Sequence, residues 1–149
     1  MLRALGGTLA GSAATVPMTI AMELLHRRLA GARAQALPPQ QITEKTLRAS
    51  GVAEHMEPST RLATATAAHF GYGAAAGAVY AAVAPLLPGP PAARGALFGL
   101  GVWAGSYLGW LPAAGILPPA TREPAGRNAM MIASHLVWGA ALGLLLGRR

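Results

Sequence analysis

What most limits the fold of this chain is where its charges are missing. Four stretches hold no Asp, Glu, Lys or Arg: Ala4 to Met22, Leu62 to Ala93, Gly95 to Thr121 and Asn128 to Gly147. A helix rises about 1.5 Å per residue and needs about 20 predominantly apolar residues to cross a hydrocarbon core, so each stretch is long enough to do so. Inside lipid only a helix or a closed barrel satisfies its own backbone, and a 149-residue chain rich in Ala and Leu is too short and too helix-prone for a barrel. A soluble helical bundle would need a polar face on every helix, and these stretches have no amphipathic period. Charged residues make up 11% of the chain and apolar ones 53%, where soluble domains carry about a quarter charged.

The sequence therefore predicts an all-α, polytopic membrane four-helix bundle. One transmembrane domain covers 1–149, with spans at about 4–26, 61–86, 94–116 and 128–147. In the connection 27–60, Gln40 to Ala49 sets Ile42, Thr46 and Leu47 on one side and reads as a short interfacial helix. Leu87-Pro88-Gly89-Pro90-Pro91 ends the second span, because proline has no backbone donor and restricts the residue before it. Arg3 followed by an apolar run resembles a signal peptide. A retained span is expected instead, because this run has an internal counterpart.

That counterpart belongs to an internal repeat. His69-Phe70-Gly71-Tyr72-Gly73, continuing to Gly77, and His135-Leu136-Val137-Trp138-Gly139, continuing to Gly143, both read His-x-x-aromatic-Gly-x-x-x-Gly. Leu37-Pro38-Pro39 and Leu117-Pro118-Pro119 precede them in the same order, and Gly11-Ser12 before Pro17 matches Gly105-Ser106 before Pro112. Two tandem two-helix units would be parallel copies about an axis along the membrane normal. Small residues four apart recur at Gly7 and Gly11, Gly73 and Gly77, Gly101 and Gly105, and Gly139 and Gly143. Such ridges let backbones approach closely in lipid, so a packing role is expected for them.

Polar residues at membrane depth are costly and mark sites by default. His69 and His135 lie at equal depth, each about 12 Å along its helix from Arg61 and Arg127. Glu23 enters from the same side, with His26 three residues on, and Glu44 and Glu123 can fold over that mouth. A polar cluster of Glu23, His69, His135, Glu44 and Glu123 is expected. It would bind a small solute or a proton, imidazole being the side chain that exchanges protons near neutral pH, or it would hold helices together through imidazole bonds to facing carbonyls. The alternative is haem held by His69 and His135, with Gly73 and Gly139 leaving room for the porphyrin. A metal site using His26, His69 and His135 with nearby carboxylates is the remaining form of that alternative. No nucleophile motif, phosphate loop or nucleotide fingerprint is present, so an enzyme is not expected.

Cysteine is absent, which excludes disulfides and thiolate metal sites. The net charge of +7 comes from arginines that flank spans without interleaved aromatics, which fits anionic lipid headgroups and not nucleic acid. The expected partners are the lipid bilayer and a second copy or another membrane protein.

Leu111-Pro112, Gly115-Ile116-Leu117-Pro118-Pro119 and Ser134-His135-Leu136-Val137-Trp138 resemble the YagU-like small inner-membrane proteins of bacteria, with a looser likeness from Glu23 to Pro39 and around His69. The resemblance implies a helical fold in a bacterial cytoplasmic membrane and brings no activity with it. It also implies cytoplasmic termini. Arg27, Arg28, Arg33, Lys45, Arg48, Arg61, Arg122 and Arg127 against Arg3, Arg94, Arg148 and Arg149 point the other way, to cytoplasmic connections 27–60 and 117–127.

Overall fold

A computed structural model describes residues 2–29 and 35–147; Arg33, Arg148 and Arg149, counted in the charge asymmetry, lie outside them. The described chain is all-α and contains no strand. Helix α1 is Leu2–Arg28, α2 is Pro38–Ala49, α3 is Pro58–Val83, α4 is Pro91–Ala104 and α5 is Ala125–Gly147. A widened, π-like stretch, Gly105–Trp110, kinked at Gly109 (φ −110°, ψ −105°), and a short turn, Leu111–Ala113, extend α4. Three of the helices open on proline: Pro38, Pro58 and Pro91. Proline suits the first helical position because its missing N–H would have no partner there.

The stops are equally local. Gly51 and Gly115 take the left-handed conformation at φ 72° and 68°. At the end of α2 the Val52 N–H donates to the Leu47 carbonyl and the Gly51 N–H to Arg48; after α4 the Ile116 N–H donates to Leu111 and the Gly115 N–H to Pro112. Both are Schellman closures, in which a residue without Cβ reverses the chain while satisfying the last carbonyls.

Helix α1 packs along α3 and α5, α4 packs along α5, and α2 lies against α3, whereas α3 and α4 barely touch. The α1–α3 contact is built from glycine. A Cβ on Gly77 would strike the Gly7 carbonyl oxygen, and one on Gly11 would strike that of Gly73. The α4–α5 contact repeats the device: a Cβ on Gly95 would meet the Gly139 carbonyl, one on Gly99 that of His135, and one on Gly143 that of Pro91. Gly101 and Gly105, expected to form the ridge of α4, face open space. They lie six residues beyond Gly95 and Gly99, about 240° around the helix, so only one of the two pairs can face α5.

Two helices, Leu2–Arg28 and Ala125–Gly147, are long and apolar enough to cross a membrane. Two apolar clusters fill the interior: Met22, Tyr107, Leu111, Leu117, Met130 and Met131 toward the α2 end, and Ala10, Ala14, Met18, Tyr80, Trp138 and Leu142 toward the other.

Candidate functional site

Members of both clusters wall a cavity of about 240 Å³. Helix α1 supplies Thr15, Met18 and Met22, and α2 covers one end with Pro38, Pro39, Ile42 and Thr43. Helix α3 contributes Ala68, His69, Tyr72, Gly73 and Ala76, while α5 contributes Met131, Ser134, His135 and Trp138. From α4 and its π-helical extension come Val102, Ser106, Tyr107, Trp110 and Leu111. A π-turn inside an α-helix is uncommon and recurs at functional sites. Here it carries Ser106, Tyr107 and Trp110, three of the five residues that α4 and its extension turn toward the cavity.

Some polar groups of the lining have partners and others do not. His135 is buried, and its Nδ1 lies 2.8 Å from the carbonyl oxygen of Met131, one turn back on its own helix. A carbonyl only accepts, so Nδ1 carries the proton and Nε2 of the neutral ring keeps its lone pair. The Tyr107 ring stands edge-on to the imidazole, with centroids 5.8 Å apart. His69 Nε2 and Ser134 Oγ are buried with no hydrogen-bond partner among the described residues. Thr15 donates to the Gly11 carbonyl at 2.9 Å, and Trp138 Nε1 donates to the same oxygen at 3.1 Å, which fastens α5 to α1. The Tyr72 hydroxyl and Ser106 Oγ, 3.0 Å apart, bridge α3 and α4.

The two imidazoles thus share one cavity, and the three carboxylates do not join them. Glu23 points away and lies 3.6 Å from Arg27 on a largely exposed stretch of α1. Glu44 is held by Arg48 at 2.7 Å and Arg61 at 3.1 Å. The Arg48 hydrogen bond, with Arg61 beside it, keeps the Glu44 carboxyl below the usual carboxylate range. Glu123 is buried beside Arg127 at 3.4 Å, beneath α2. His26 Nε2 lies 3.1 Å from the Gln35 carbonyl, away from both imidazoles. Among the described residues no three His, Asp or Glu side chains gather as a metal set. The clearance that a porphyrin would need over Gly73 and Gly139 is taken by Thr15 and the Gly11 backbone on one side and the Gly95 backbone on the other.

Arg127, by sequence a cation flanking a span, has a larger part in the structure. It is 1% exposed; Nη1 donates to the Ala36 carbonyl at 3.1 Å and Nη2 to Gln41 Oε1 at 2.7 Å. Gln41 donates to Gln35 Oε1 at 3.0 Å, and Gln35 donates to Glu123 at 3.3 Å. This network ties α2 to the start of α5 and so holds the cover over the cavity. Glu123 and Arg127 at i and i+4 are the only sign of it in the sequence, because Gln35 and Gln41 are distant along the chain.

The family model described as "Protein of unknown function (DUF1440)" matches residues 20–144. No curated protein and no solved structure matches the chain. The matched segment holds every cavity residue except Thr15 and Met18. The likeness noted at the Leu-Pro-Pro and Ser-His segments therefore stands at the level of a family without assigned activity: the chain belongs to the DUF1440 family.

Proposed function

We propose that the chain is a multi-pass protein of a bacterial cytoplasmic membrane, in which α1, α3, α4 and α5 cross the bilayer as two tandem helix pairs and the cavity between them binds a small solute. The membrane part is supported by an apolar surface. Leu5, Leu9, Val16, Ile20 and Leu24 on α1, Val79 on α3, Leu97 and Leu108 on the α4 segment, and Leu144 and Leu145 on α5 are all exposed, while the helix contacts are made of glycine. Water would penalise that arrangement, and lipid tails do not. Helix α3 has low hydropathy because it is made of Ala, Gly and Thr, yet its sequence from Leu62 onward is uncharged. The tandem pairing is supported by the glycine contacts, which join α1 to α3 and α4 to α5 with the second helix of each pair carrying the His-x-x-aromatic-Gly element.

The binding part rests on one observation, the placement of His69, Ser134 and His135 around a common space. Two of them keep buried atoms without a partner. Polar groups that serve packing alone are normally satisfied within the protein, and a solute can satisfy these. The absence of cysteine allows a direct test, because Ser134→Cys introduces a unique thiol in the cavity wall. In membranes, that thiol is expected to react with a small neutral methanethiosulfonate at least about tenfold faster than the thiol of Met130→Cys, which is fully buried outside the lining. Equal rates would remove the solute site.

A further inference from the structure

We infer that the cavity takes a neutral lipophilic alcohol, aliphatic or phenolic, that reaches it from the bilayer between α3 and α4. This rests on the solute-binding reading above and names the ligand. Among the described residues the lining holds no Asp, Glu, Lys or Arg. An ionised ligand would therefore enter uncompensated at membrane depth, where charge is expensive. The body of the ligand must be apolar, since Met18, Met22, Val102, Leu111, Met131 and Trp138 supply most of the wall. About 240 Å³ is room for on the order of ten heavy atoms, given that a liquid water occupies about 30 Å³.

The head group follows from the hydrogen-bond inventory. His135 spends its only N–H on the Met131 carbonyl, so what it offers a ligand is the Nε2 lone pair, which needs a donor. Ser134 Oγ and His69 Nε2 are unpartnered, and the serine hydroxyl can donate. A ketone or ester would leave the His135 lone pair unmatched, and an amine would carry charge. A hydroxyl donates one bond and accepts others, so it serves both sides at once.

The route is marked by Tyr72 and Trp110. Both line the cavity, yet they are 46% and 45% exposed on the outer surface. These two side chains close the gap between α3 and α4, which barely touch, through the Tyr72–Ser106 hydrogen bond and the Tyr72–Trp110 ring contact at 6.5 Å.

The test uses the full chain in phospholipid vesicles and three photoreactive probes: a six-carbon alcohol carrying an aliphatic diazirine, the matching hydrocarbon and the matching carboxylate. Labelled residues are identified by mass spectrometry. The alcohol is expected to label cavity residues of α3 and α5 saturably, about tenfold more than either relative, which is the scale of one satisfied buried hydrogen bond. Ser134→Ala and His135→Phe should each lower that labelling several-fold, and Ser134→Ala carries the test alone if the bulkier change disturbs folding. Equal labelling of cavity residues by the three probes would overturn the alcohol assignment and leave a solute site standing. Labelling confined to lipid-facing residues with every probe would overturn both.

Discussion

At the scale of the residue, two glycines six positions apart on one helix have opposite fates. Gly95 meets the Gly139 backbone and Gly101 meets nothing. A methyl group at Gly95 has no side-chain tip to push aside, only backbone, so the helices must separate. Gly95→Ala is expected to cost roughly 1–3 kcal/mol, as overpacking does. Gly101→Ala should be neutral or stabilising by up to about 1 kcal/mol, because alanine is the better helix former. Unfolding in mixed detergent micelles would check both, and an equal loss from the two variants would show that the ridge is misplaced. The sequence shows that small residues recur every four positions, but five glycines on α4 and its extension, Gly95, Gly99, Gly101, Gly105 and Gly109, share that spacing. Which pair forms the ridge depends on helix rotation, and only the partner helix sets that.

At the scale of the element, α2 is held by two polar clasps of different character. One is the buried network of Arg127, Gln41, Gln35 and Glu123; the other is the more exposed pair of Glu44 with Arg48 and Arg61. The second clasp titrates. The folded state keeps the Glu44 carboxyl below its ordinary value, so the pairing favours docked α2 above the usual carboxylate range near pH ~4.3. That contribution is lost as pH falls through the lowered value. Relative to the intrinsic rate at each pH, amide exchange along 38–49 is therefore expected to quicken below about pH 4, with α5 unaffected. Glu44→Gln should show the fast exchange at every pH, and a pH profile unchanged by that substitution would show that Glu44 does not clasp α2. Helix α2 itself was legible from its composition as an interfacial helix. Its position over the cavity was not, because Gln35 and Gln41 are ordinary polar residues until Arg127 and Glu123 are brought beneath them.

At the scale of the whole molecule, the exposed leucines of α1 and α5 and the glycine-lined contacts describe a particle whose surface suits lipid better than water. The chain is expected to remain with the membrane after an alkaline carbonate wash and to leave it only with detergent. A monodisperse monomer in plain buffer would overturn the membrane reading. The sequence by itself determined that the chain is helical and where its long helices lie, because uncharged length and proline and glycine punctuation are local properties of the chain. It also singled out His69 and His135, since an imidazole within an uncharged stretch stands out without a structure. The tertiary structure alone decided that these two share a cavity with Ser134, that Glu23 turns away from them, and that Arg127 is buried. Those outcomes depend on how each helix is rotated against its neighbours. Packing between glycine-rich faces sets that rotation, and no single segment contains the information.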